Sequence, residues 1–460
     1  MGNDGTSPRL GALSPLDGRY RSTVDDLAAF LTEGALIRYR VRVEIEWLRL
    51  LSERPEIDRV RSLTKSEASI LHTLAADFDD RDAERVKAIE KVTRHDVKAV
   101  EYYLRERLEP TTLADMREFI HFCCTSEDIN NLAYSMMLKD AIEQSWRPRA
   151  DALVEQVVSL AQQTRDVALL ARTHGQAATP TTLGKELAVF AYRWQRQLGQ
   201  LGRAEYLGKF NGAVGNFNAH VVAYPNAPWE QIAQELVNRL GLTYNPLTTQ
   251  IEPHDFFAEI FHILIRFNTI TLDFVRDMWT YISLGYFQQR AVGHEVGSSV
   301  MPHKVNPIDF ENAEANLGLS TAVFEHLTTK LPVSRLQRDL SDSSALRNVG
   351  VALGHSVVAL HSARSGLGKV AVNRELIAQD LTDAWEVLAE AIQTVMRNAG
   401  YDNPYDRLKQ LTRGTTIAAA EIHSFIEGLD LPASDKERLR ALSPADYVGL
   451  ASALVRHVEG

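Results

Sequence analysis

An all-α fold is predicted for this chain of 460 residues by three observations. Leu183, Leu187, Phe190, Ala191, Trp194, Leu198 and Leu201 recur at the spacing of one buried helical stripe. The run from Asp255 to Leu284 contains neither glycine nor proline. There Phe257, Ile260, Phe261, Leu264, Phe267, Phe274, Met278 and Ile282 repeat the pattern over about 45 Å of helix. Apolar and polar residues alternate at the strand period almost nowhere. A hydrophobic content of 45% with 24% charged residues fits a packed core rather than a disordered chain. Acidic residues outnumber basic ones, 60 to 50, and the net charge of −10 opposes a polyanion, so nucleic acid is excluded as the main ligand.

Taken in order, the first residues, Met1-Gly2-Asn3-Asp4-Gly5-Thr6, fit the short myristoylation pattern but read as a solvated tail. No stretch approaches ~18 consecutive apolar residues, and no basic segment leads into an apolar run; neither a membrane span nor a secretory signal is expected. A helix is expected to begin near Thr93-Arg94-His95-Asp96. One domain boundary is placed near residue 115, giving an N-terminal helical domain at 1–115. The adjacent Cys123 and Cys124 are poorly placed for a disulfide with each other, which favours a reducing, cytoplasmic setting. Thr125 or Ser126 is expected to cap the next helix. Polar segments bearing glycine or proline, 172–180, 209–228, 244–255 and 293–307, separate the long helices, and loops held by rigid helices are where site chemistry concentrates. A second boundary near 365 leaves a central long-helix bundle at 116–365 and a C-terminal helical domain at 366–460.

The most informative segment is Gly297-Ser298-Ser299-Val300-Met301-Pro302-His303-Lys304-Val305-Asn306-Pro307. A glycine permits an unusual turn, two hydroxyls follow, Lys304 adds a positive charge, and Asn306-Pro307 reads as N-cap and first residue of a helix. Loop amides, an ammonium and a helix N-terminus can together hold a carboxylate. The same residues also read as a capped, solvated loop. Arg172-Thr173-His174-Gly175-Gln176 supplies an imidazole, the side chain suited to proton transfer near neutrality, although a lone histidine is more often structural. Arg335, Arg338, Ser343 and Arg347 form a basic and hydroxylic set in an acidic chain; a solvated charged face is its simpler reading, phosphate binding the other. A phosphate loop, the dinucleotide glycine spacing, His-Glu-x-x-His and Cys-x-x-Cys are all missing, so neither metal nor cofactor is expected.

The segment at 297–307 resembles the signature loop of the fumarase/aspartase superfamily. With Ser14-Pro15-Leu16-Asp17-Gly18-Arg19-Tyr20, Thr93 to Ala99, Arg172 to Gln176 and Gln250 to Asp255, it resembles the bacterial adenylosuccinate lyase branch in particular. The resemblance implies a fumarase/aspartase-like homotetramer, with a long central helical bundle and active sites shared between subunits. It implies elimination of fumarate from succinylated purine nucleotides without a cofactor, with Ser298 as general base and His174 as general acid. Thr125, Ser126, Gln250, Ser299, Lys304, Val305 and Asn306 would hold the succinyl portion. Arg19, Tyr20, Arg338, Ser343, Ser344 and Arg347 would hold the nucleotide end, with Arg94, His95 and Asp96 between and Asn312 nearby. Sister enzymes acting on argininosuccinate, fumarate or aspartate share the Ser298 loop; His303, Arg338 and Arg347 favour a phosphorylated substrate. The long apolar stripes are expected to be buried partly by subunit packing.

Overall fold

The computed structural model describes residues 10–290, 301, 304–412 and 417–459. The predicted helical class holds, and among the described residues the strands are only two or three residues long. The helices that carry the site and its supports are α1 (Glu33–Ser52), α2 (Asp80–Thr93), α3 (Asp96–Leu108), α4 (Ser126–Ala141), α5 (Leu183–Leu201), α6 (Asp255–Ser283), α7 (Ile308–Lys330), α8 (Ser341–Leu346) and α9 (Val349–Gly368). Strands β1 (Ala168–Leu169) and β4 (Thr181–Thr182) pair antiparallel, enclosing the antiparallel pair β2 (Arg172–Thr173) and β3 (Gln176–Ala177). A parallel pair joins β5 (Leu207–Gly208) to β6 (Thr243–Tyr244), and an antiparallel pair joins β7 (Phe287–Gln289) to β8 (Val370–Val372). Among the described residues, no helix is long and apolar enough to cross a membrane.

Contacts group the chain into two compact units. The first comprises Met1–Arg149, Gly199–Asn268 and Ala315–Ala359. In it, Thr32 caps α1 by accepting from the Ala35 amide at 3.2 Å, and α1 buries Val41, Val43, Leu50 and Leu51 completely. Helix α4 runs into a π-helical turn, Ile142–Trp146. That turn is pinned from its side chain: the Trp146 indole donates to Ser356 Oγ at 2.8 Å and meets the Phe267 ring edge-on. An indole buried with its N–H satisfied contributes its full apolar area without a desolvation penalty.

The second unit comprises Ala150–Leu198, Thr269–Glu314 and Leu360–Gly460. Its core follows the predicted stripe of α5. Phe190 and Trp194 pack edge-to-face on Phe274, with ring centroids 5.4 and 5.2 Å apart, and the Trp194 indole donates to Thr271 Oγ1 at 3.1 Å. A separate cluster of Ile392, Met396, Ile422 and Ile426 stabilises its C-terminal helices.

One expectation is corrected. Every named apolar position of the α5 stripe is buried within the chain itself, as are those of α6 except the half-buried Ile282. These stripes therefore need no second subunit to cover them. Among the described residues, the large apolar side chains left exposed on α5, α6 and α7 are others: Val189 and Tyr192 on α5, Trp279 on α6, and Ile308 and Leu319 on α7.

Candidate active site

In the first unit, α2 ends at Arg94, whose φ of 56° lies in the left-handed region, and the chain turns directly into α3. His95 is the N-cap of α3, its Nδ1 accepting from the Lys98 amide at 3.1 Å. The expected helix start at Thr93–Asp96 is thus observed. Arg94 and His95 are exposed and Asp96 is half-buried. Burial alone would raise the Asp96 carboxyl; the Arg40 guanidinium, the Val97 amide and Arg347 outweigh it and hold Asp96 below the usual carboxylate range. Arg40 Nη2 donates to Asp96 Oδ2 at 2.6 Å, and Arg347 Nη2 lies 3.7 Å from the same oxygen. Arg347 also pairs with Glu33.

Arg338, nine residues before Arg347, is held by other carboxylates. Its Nη2 lies 3.0 Å from Glu127 Oε2 and 3.8 Å from Asp342 Oδ1, at the start of α4 and within α8 respectively. Burial pushes both carboxyls up, and Arg338 opposes that rise in each. Glu127, Asp342 and His254 bring one ligand atom each to within 4.8 Å of one another, the geometry of a cation site. The Arg338 guanidinium already supplies positive charge to its two carboxylates. Burial, reinforced by Arg338 and Lys330, lowers His254 to about 4, so this imidazole is neutral near pH 7.

Thr125 occupies the N-cap position of α4 and Ser126 its first turn, with the Thr125 amide donating to Asp128 Oδ2 at 2.8 Å. Asp128 is also the fully buried partner of Lys209, at 2.8 Å, and accepts from the backbone amides of Asn211 and Gly212 at 3.0 and 3.1 Å. One carboxylate thereby fixes the 209–212 loop against the α4 terminus. Asp128→Ala strands the buried Lys209 ammonium and is expected to cost about 3–5 kcal/mol. Urea unfolding would register this as an earlier midpoint, and an unchanged midpoint would exclude the role. Gln250 is tied to the same region, donating from Nε2 to Ala213 O at 2.8 Å.

Arg19 is exposed, its guanidinium 6.0 Å from the centroid of the half-buried Tyr20 ring. Their segment joins Arg347 through a cavity of about 320 Å³, lined by Ser14, Asp17, Arg21, Glu33 and Arg347 among others. Ser343 lies in α8 and its amide donates to Asp342 Oδ1 at 2.7 Å; Ser344 follows on the exposed side, and its carbonyl accepts from Asn348 Nδ2.

The second unit presents His174 differently from the sequence expectation. Instead of a simple loop, β2 and β3 form a tight hairpin with Thr173 opposite Gln176, and His174 and Gly175 make its tip at φ 53° and 74°. Two successive positive φ values are what a two-residue hairpin turn of type I′ demands. Strands this short leave no alternation for periodicity to detect. His174 is exposed on this tip. The hairpin is anchored by Arg172, which reaches the Tyr286 hydroxyl at 2.5 Å and Asp380 Oδ2 at 2.9 Å, while Tyr286 donates to Asp380. These anchors lie 114 and 208 residues from Arg172 along the chain, and local sequence gives no signal for them.

Ser298 and Ser299, like His303, lie outside the described residues. Lys304 and Val305 are exposed and Asn306 is half-buried. Helix α7 begins at Ile308, and the Pro307 carbonyl accepts from the Glu311 amide at 3.3 Å. The helix therefore starts one residue later than Asn306-Pro307 capping predicts, because Pro307 itself supplies the first acceptor. Asn312 on α7 donates to Ser362 Oγ at 2.8 Å.

Comparison with known proteins agrees with this layout. Residues 18–323 match the family model described as "Lyase", and residues 334–448 match "Adenylosuccinate lyase C-terminal". The adenylosuccinate lyase of Escherichia coli (strain K12) is 52% identical over 97% of this chain and 98% of its own length; that of Haemophilus influenzae is 50% identical over the same shares. Among solved structures, a fumarate lyase from Mesorhizobium sp. BNC1 superposes with a TM-score of 0.75 at 18% identity, covering 94% of this chain and 97% of that one. A 3-carboxy-cis,cis-muconate lactonizing enzyme from Pseudomonas putida gives 0.72 at 19%, covering 94% and 96%. The two structures share the fold; the near-full-length identities and the C-terminal match go further, and by them the chain belongs to the adenylosuccinate lyase family.

Proposed function

We propose that the protein eliminates fumarate from adenylosuccinate to give AMP, and from the succinylated carboxamide ribotide of purine biosynthesis (SAICAR) to give AICAR. The observation that carries this reading is the near-full-length similarity to curated adenylosuccinate lyases. The charge layout suits the substrate: Arg338 and Arg347, with Asp96, are gathered in one unit of an acidic protein, and a phosphorylated nucleotide requires local guanidiniums.

In this reading Ser298 removes the proton from the carbon next to a succinyl carboxylate, and His174 protonates the departing nitrogen as the carbon–nitrogen bond breaks. A serine is a poor base until its alkoxide is stabilised. Lys304 and the positive end of the α7 dipole are the groups placed by sequence to do this, and the same field favours the carbanion that delocalises into the carboxylate. Thr125, Ser126, Gln250, Ser299, Val305 and Asn306 would hold the succinyl portion. Arg19, Tyr20, Ser343, Ser344 and the two arginines would hold the nucleotide, with Arg94, His95 and Asn312 alongside.

The reading extends to a cytoplasmic homotetramer with sites shared between subunits, and to the division of the chain near 115 and 365. Exposed Val189, Tyr192, Trp279 and Leu319 on long helices support subunit packing. The deciding experiment is a spectrophotometric assay of the purified protein with adenylosuccinate. Production of fumarate and AMP is expected. Turnover only of another succinyl compound would indicate a sister lyase, and no turnover of any would indicate a silent scaffold.

A further inference from the structure

We infer that Arg40, Glu127 and Asn130 are positioning residues that set, from inside the first unit, the guanidiniums of Arg338 and Arg347; this rests on the proposed role of those two arginines at the nucleotide phosphate. The connection is continuous. Arg338 Nη2 lies 3.0 Å from Glu127 Oε2, and Asn130 Nδ2 donates to that same oxygen at 3.3 Å. Asn130 Oδ1 accepts from Arg40 Nε at 2.8 Å; Arg40 Nη2 donates to Asp96 Oδ2 at 2.6 Å; and Asp96 Oδ2 faces Arg347 Nη2 at 3.7 Å. Glu33 closes the succession on the far side of Arg347.

Exposure gives this succession its direction. Arg40, Glu127 and Asn130 are shut away from water, at 1%, 2% and 7% exposed, whereas the side chains of Arg338, Asp96 and Arg347 retain 16%, 29% and 38%. Ion pairs placed only for stability are poor candidates for the interior, because desolvation consumes most of what the attraction returns. A buried guanidinium and carboxylate whose remaining contacts run outward to half-exposed arginines are explained by preorganisation: the planar fork of each outer arginine is fixed before the anion arrives. Alternation of sign also matters. Asp96 and Glu127 separate three guanidiniums that would otherwise repel one another, so the two outer cations can be held ready in the unliganded protein.

The test uses the full-length protein and two competitive probes, AMP and adenosine, alongside steady-state kinetics with adenylosuccinate. Glu127→Gln, which keeps the side chain's shape, and Arg40→Lys, which keeps its charge, should each weaken AMP inhibition by roughly 3–30-fold. Adenosine inhibition should hold, and KM should rise more than kcat falls. In an Arg338→Lys background, Glu127→Gln should add no further loss of AMP inhibition, since its effect passes through that arginine. If Arg338→Lys weakens AMP but neither Glu127→Gln nor Arg40→Lys does, the positioning role is wrong and the nucleotide reading survives. Equal losses for AMP and adenosine, or a fall in kcat with KM unchanged, would also overturn it by revealing a structural role alone. If Arg338→Lys leaves AMP inhibition unchanged, the phosphate assignment fails and the inference falls with it.

Discussion

Replacing Ser298 by alanine lowers kcat for adenylosuccinate by about 10²–10⁴ and leaves KM nearly unchanged. The missing oxygen is the one that would take the proton, and it contributes to the chemical step rather than to holding the substrate. Its working form carries charge that exists only while the base is active, so its environment must be cationic. The sequence supplies Lys304 six residues on and the start of α7 at Ile308, four residues further. Steady-state kinetics with substrate binding measured separately checks the result. Equal losses of binding and turnover, or no loss, would remove Ser298 from proton abstraction.

Replacing His174 by asparagine produces a second loss, of about 10²–10⁴ in kcat, together with a change in pH dependence. A proton donor works in its protonated form, so the wild-type rate should fall as pH rises through the donor's titration; the variant should lose that limb. A profile of unchanged shape would exclude His174 as donor. Because the proposed sites are shared, mixing the Ser298→Ala and His174→Asn proteins should restore part of the activity through sites with one intact residue of each kind. Verified mixed tetramers without any recovery would place both residues in one subunit's site.

How much was legible in the sequence follows from how local each signal is. The burial of α5 and α6 could be read from spacing alone, since a helix repeats its environment every three or four residues. The tip carrying His174 could not, because two-residue strands are too short to show a period. Arg40 sits in the run Ile37-Arg38-Tyr39-Arg40-Val41-Arg42, where helical spacing sets Arg38 and Arg42 on one side and Arg40 on the other, without saying what a guanidinium would meet there. Only the tertiary structure shows that one of them is interior, with partners 56 and 90 residues away. Glu127 and Asp128 are neighbours in the first turn of α4. Their division of labour, one toward Arg338 and the other toward Lys209, depends on which side of the helix each neighbour approaches. The surmise that the apolar stripes awaited a second subunit erred for a related reason: periodicity reveals that a face is covered without revealing by what.

The left-handed backbone at His174 has a consequence for anyone building a saturation library at that codon. Asparagine and glycine tolerate such a turn, whereas valine and isoleucine resist it. Clones would therefore sort by soluble yield along one axis and by turnover along another, and a screen of crude lysates would merge the two. Normalising each rate to the amount of folded enzyme recovers the chemical contribution of the imidazole from the conformational tolerance of its position.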